Sequence, residues 1–165
     1  MMTMEHDELK ELLDRLHDKY DRPEFIADDP ICVPHRYAGR NDREIAGFLA
    51  ATIAWGNRKA IVRSGLRMMQ CMDDAPADFV RNASDRELDL LASYAHRTFN
   101  GGDLRDFVLA LRRFETEWGG VGAFFEAQYA RLGDLPAVLA AFRCEFFRAE
   151  HAARCEKHLS SVERG

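Results

Sequence analysis

Three groups of residues have types and spacings that could do chemistry. The stretch DDPICVPHRY gathers Asp28, Asp29, Cys32, His35 and Tyr37 around two prolines. A stiff loop presenting an acid, a thiol and an imidazole could hold a catalytic pair, with Asp29 and His35 as its candidates. The plainer assignment has Asp29 capping a turn and His35 bonded to backbone while the prolines set the path, and it is the stronger of the two. A Cys–His nucleophile needs a proximity that three-residue spacing in irregular chain does not supply.

The second group is His151, Cys155 and His158, which fall at i, i+4 and i+7 near the C-terminus, with Cys144 one heptad earlier. The spacing suits metal ligands on a helix, yet seven helical residues advance about 10.5 Å, too far for both imidazoles to reach one ion. A buried thiol flanked by surface imidazoles is expected instead, with no metal and no cofactor. The third group is Lys59, Arg63 and Arg67 at i, i+4 and i+8, just after Trp55-Gly56-Asn57-Arg58. A basic stripe beside a helix N-terminus suits phosphates, because free backbone N–H groups and the helix dipole favour anions there. The alternative is a solvated face paired with nearby carboxylates. No phosphate-binding glycine loop, serine-hydrolase elbow or zinc-protease motif is present. The aromatics Phe107, Phe114, Trp118, Phe124, Phe125, Phe142, Phe146 and Phe147 sit at helical spacing and read as core.

The elements that must position these residues are helices. Leu9, Leu12, Leu13, Leu16 and Tyr20 give an amphipathic, acidic first helix within residues 1–22, which Pro23 ends. Residues 28–40 have no helical period and are expected to be an ordered, proline-containing loop. Asn41 with Glu44 forms a plausible capping box for an apolar central helix that Gly56 closes. Asn57 caps the next helix, which runs to about Met72, and Pro76 sits in the first turn of a short one. Ser84 with Glu87 opens a helix through Tyr94, Asp103 caps another, and the Gly119–Gly120 pair breaks it. A further helix uses Val121, Phe124, Phe125 and Tyr129. The last begins at Asp134 and runs to about Lys157. No strand alternation or repeat is visible, so the expected fold class is all-α: one multi-helix orthogonal bundle over residues 1–165, with seven to eight helices and a helical core at 41–157.

Composition agrees with a packed domain. The chain has 165 residues, 47% of them apolar and 31% charged, enough for one core. Residues 1–29 hold ten carboxylates against four Lys and Arg, which leaves the remainder one positive charge in excess. That remainder lacks the strong basic surplus of many nucleic-acid-binding domains. No apolar run approaches the roughly 18 residues of a membrane span. The acidic start carries no signal-peptide pattern, so a cytoplasmic protein without a membrane partner is expected. Cys32, Cys71, Cys144 and Cys155 lie far apart and are expected to be reduced.

The run DPICVPHRYAGRNDREIAGFLAATIAWGNRKAI carries a resemblance. Asp29-Pro30-Ile31, Pro34-His35, Asp42 with Glu44-Ile45-Ala46-Gly47, and Ala54-Trp55-Gly56 with Arg58 resemble the motifs of a bacterial family, domain of unknown function 2400. Residues 72–80 and 157–161 fit it as well, so the resemblance spans essentially the whole chain. Members of that family continue with a basic helix and a Pro-Leu-Asp-x-His segment similar to the helix-hairpin-helix, endonuclease III-like DNA glycosylases. The resemblance therefore implies an incomplete glycosylase-like fold, duplex DNA as partner and a base-excision-like activity whose catalytic aspartate lies beyond this chain. On that analogy residues 158–165 begin a phosphate-gripping hairpin. Asn57, Arg58, Lys59, Arg63, Arg67 and Gly165 would then face DNA. A non-catalytic helical interaction or scaffold module is the alternative, since fold analogy alone is a weak warrant for function.

Overall fold

The computed structural model describes residues 6–162. Helix α1 (His6–Tyr20) buries no residue. Only Asp21 and Arg22 separate it from α2 (Pro23–Asp28), with Pro23 in the first turn, where its missing N–H costs no hydrogen bond. The expected loop at 28–40 is therefore helical in part. A single turn, α3 (Cys32–His35), follows, and Pro34 is tolerated because it too falls where N–H groups have no helical partner.

Helix α4 (Arg40–Thr52) buries Ile45, Ala46, Leu49 and Ala50. The capping box expected of Asn41 and Glu44 does not form. The Asn41 amide donates to Glu115 at 2.9 Å, while Glu44 accepts from Arg40 at 2.8 Å and from the Gly122 N–H at 3.1 Å. Distant partners outcompete the local ones. The helix also ends three residues before Trp55, leaving residues 53–57 as a turn in which Gly56 has φ of +104°.

Helix α5 (Arg58–Gln70) is capped by Asn57, whose side chain accepts the Ala60 N–H at 3.2 Å. Helix α6 (Pro76–Asn82) starts with its proline, and α7 (Asp85–Leu90) with the reciprocal Ser84–Glu87 box. A 3-10 turn over Leu91–Ser93 leads to a short antiparallel ladder, β1 (Ala95–His96) with β2 (Phe99–Asn100), which places Arg97 and Thr98 at its tip. Sequence alternation gave no sign of it because each strand has two residues.

Helix α8 (Gly101–Arg113) is capped by Asn100, not by Asp103. Asp103 sits at the third helical position and returns a bond to the Asn100 N–H at 2.9 Å. Gly101 lies so close to the 91–92 backbone that a Cβ there would stand 2.1 Å from the Leu91 carbonyl oxygen. A widened π turn (Phe114–Trp118) and the positive-φ pair Gly119–Gly120 then break the chain before α9 (Val121–Leu132).

Helix α10 (Leu135–Phe146) is capped by Asp134 but stops eleven residues short of Lys157. Arg113, reaching across from α8, donates to the Phe146 carbonyl at 2.8 Å and thereby satisfies the helix end. The chain then turns into a 3-10 segment over Ala153–His158. Phe48, Phe107, Phe114, Phe124, Phe142 and Phe146 stack and cross one another where α4, α8, α9 and α10 meet. The fold is mostly helical, and no described helix is long and apolar enough to cross a membrane.

Candidate nucleic-acid interface

The basic stripe of α5 is real, and folding adds to it. Lys59, Arg63 and Arg67 line a groove of about 570 Å³ whose floor is Val62 and Leu66 and whose far wall is Ala27 and Asp28 of α2. Their spacing puts them on one face because residues four apart on a helix are neighbours. Arg67 also donates to the Ser93 carbonyl at 3.0 Å, so part of its capacity is structural. Arg58 lies over the Phe25 ring at 5.5 Å, which anchors α2 to the start of α5.

Arg97 reaches the turn before α5 from a distant part of the sequence. Its guanidinium rests on Gly56, where an added Cβ would meet Nη2 at 2.6 Å. The ladder tip holds Arg97 at a φ of +53°, and Arg154 donates to the neighbouring Thr98 carbonyl at 2.8 Å. Lys157 and Thr98 line a recess of about 420 Å³ together with Trp55 and Ser160. Arg97, Arg154 and Lys157 were not among the expected phosphate contacts. No local pattern links them to α5; only the ladder and the turn at 147–152 do.

Beside these cations lies a half-buried aromatic stack. The Trp55 indole has the His158 ring stacked on it at 5.7 Å and the His96 ring edge-on at 5.6 Å. His96 bonds through Nδ1 to the Ser64 hydroxyl at 2.8 Å, and its Nε2 is buried without a hydrogen-bond partner. His158 Nε2 lies 3.6 Å from the buried Asp103 carboxylate, which also faces Arg154 at 3.3 Å. Burial, then Arg97, pushes the His96 pKa down, against the Trp55 backbone. Burial also lowers that of His158, helped by Lys157 and Arg154 and opposed by Asp103 and the Thr98 backbone. Both shifts favour the neutral ring.

The other two groups fall elsewhere. The Asp29 carboxylate accepts the Ile31 N–H at 3.0 Å, which closes the turn just ahead of α3, and His35 is exposed at the end of α3. Burial, then the charge of Asp29, raises the Cys32 thiol, away from the thiolate that a nucleophile requires. His151, Cys155 and His158 share no helix face, because α10 has already ended. His151 lies against Glu156 at 3.3 Å and His158 turns to Trp55. Cys155 is buried in the core, its thiol pushed up to about 12 chiefly by burial and then by Asp106 and Asp103. No group of three or more metal-ligating side chains exists among the described residues. Gly165 lies outside the described residues.

A family model described as a protein of unknown function (DUF2400) matches residues 29–165. The chain belongs to that family. No curated protein and no solved structure matched it. The DUF2400 region begins at Asp29 and so takes in α3 to α10, the basic face of α5, the 53–57 turn and all the buried hydrophobic residues. Helices α1 and α2 precede it.

Proposed function

We propose that this DUF2400 protein binds the phosphate backbone of duplex DNA across the 53–57 turn and the basic face of α5. The observation that carries the reading is the seat of Arg97 on Gly56, beside the helix start that bears Arg58, Lys59 and Arg63. Two sequence-distant elements thereby bring cations to the start of α5 in a chain whose formal charge is −5. Phosphate contacts of this kind position a protein on a duplex without reading its sequence. A base-excision-like role on that duplex is the activity this reading favours, on the strength of the glycosylase resemblance.

Neutralising about four phosphates gives a slope near −3.6 in log affinity against log salt, or roughly a hundredfold weakening between about 50 and 200 mM. Fluorescence anisotropy of a labelled duplex measures this directly. Lys59→Glu with Arg63→Glu should abolish binding while leaving the fold intact by circular dichroism. Binding insensitive to salt, or equal in the charge-reversed protein, would overturn the reading.

A second reading rests on α1. Its Leu9, Leu13, Leu16 and Tyr20 are all exposed on one apolar stripe, as expected of a helical interaction module. A stable protein complex lost on Leu13→Glu, with no retention of DNA, would favour it over the first.

A further inference from the structure

We infer that binding of a polyanion at this face is coupled to proton uptake by His96 and His158, an inference that rests on the DNA reading above. The two imidazoles flank Trp55 from opposite elements, His96 from the ladder and His158 from the 3-10 segment. Burial does most to keep these rings neutral, and the cations at the ladder tip, Arg97, Arg154 and Lys157, add to it.

Each charged or polar neighbour has a defined sign. His96 faces the Ser64 hydroxyl from α5, the Trp55 backbone from the turn, and Arg97 from the ladder tip. His158 faces Asp103 from α8, the Thr98 backbone, and Arg154 and Lys157 from its own segment. Asp103, which also holds Arg154 and the Asn100 N–H, acts on His158 more strongly than either cation alone, so burial is the main cause of the neutral ring. A phosphate that neutralises Arg97, Arg154 and Lys157 removes their repulsion and adds an attraction of its own. The charged form of each ring is then favoured in the complex relative to the free protein.

Linkage fixes the direction. Because the complex binds more protons than the free protein, affinity must rise as pH falls, by up to about tenfold per pH unit for each proton fully taken up. The effect is concentrated below the ordinary histidine value of about 6.5. Cytosolic pH would leave it small, and mild acidification would engage it.

The test is duplex binding at constant ionic strength from about pH 8 to about pH 5.5. Wild-type protein is compared with His96→Asn plus His158→Gln, which keep a polar atom near Ser64 and Asp103. Calorimetry near pH 6 in two buffers of different ionisation enthalpy counts the protons taken up. Net uptake in the wild type that falls in the double variant is expected, since His6, His17, His35 and His151 remain in both. Salt-dependent binding with equal uptake in both proteins overturns this inference and leaves the DNA reading standing. Absence of binding at every pH overturns both. If the double variant does not fold, imidazole proton shifts of the wild-type protein, free and bound, decide instead. Unmoved titration of the two buried rings would count against the coupling.

Discussion

Gly56→Ala tests the link between fold and binding face at a single methyl group. The residue has φ of +104°, where an L side chain is strained, and its Cβ would overlap the Arg97 guanidinium at 2.6–2.8 Å. Backbone strain of this kind costs about 1–2 kcal/mol, equivalent to roughly 2–8 °C of melting temperature for a protein of this size. The guanidinium is the end of a flexible, exposed side chain, so it swings away rather than resisting. Stability should therefore fall by the backbone cost alone, while Arg97 loses its seat. Gly133→Ala is the matched control, because Gly133 has φ of +64° and nothing within 4 Å of a new Cβ. Thermal unfolding should show both variants destabilised. Only Gly56→Ala should lower the salt slope of duplex binding, by about one phosphate contact. Arg97→Ala should show the same slope, and the double variant no further change. A Gly56→Ala protein that is destabilised yet binds duplex with the wild-type slope would refute the claim that this glycine positions Arg97.

Two further outcomes test the packing around the site. The Glu115 side chain is 4% exposed and accepts Arg81 at 2.6 and 2.9 Å and the Asn41 amide at 2.9 Å. Glu115→Ala should cost about 2–3 kcal/mol, less than a fully buried pair, because Arg81 is 44% exposed and regains water; chemical denaturation reads this as a lower midpoint with an unchanged slope. Thiol labelling of the native protein should modify the exposed Cys144 first and spare Cys155 until unfolding. Rapid labelling of Cys155 would contradict the docking of the 3-10 segment.

Local signals in the sequence were sufficient wherever both partners lay within one turn. Asn57 and Ser84 cap their helices, Pro76 starts α6 and Gly119–Gly120 ends the π turn, because each satisfies or breaks bonds three or four residues away. Expectation failed where a side chain had a better partner across the fold. Asn41 prefers Glu115 to its own helix; the Asn100–Asp103 box is the exception, a local signal in which the acid marks the third helical position and not the cap. Two prolines suggested a loop at 28–40; Pro30 does lie in the turn between α2 and α3, but Pro34 falls in a single helical turn that has no use for its N–H.

The site depends on the same long-range bonds that the sequence hides. Nothing in residues 147–157 breaks a helix, and apolar periodicity alone would extend α10 to Lys157. Arg113 satisfies its end by donating to the carbonyls of Glu145 and Phe146, and Arg143 holds the returning chain through the Glu156 carboxylate at 2.8 Å. That reversal swings His158 out of line with His151 and onto Trp55, and carries Arg154 and Lys157 to the ladder tip where Arg97 stands. A helix continued to Lys157 would have carried His158 about 18 Å past Phe146 along its axis, leaving Trp55 without its stacked ring. The metal-like spacing and the cation face are thus exclusive outcomes, and the Arg113 and Arg143 guanidiniums hold the second in place.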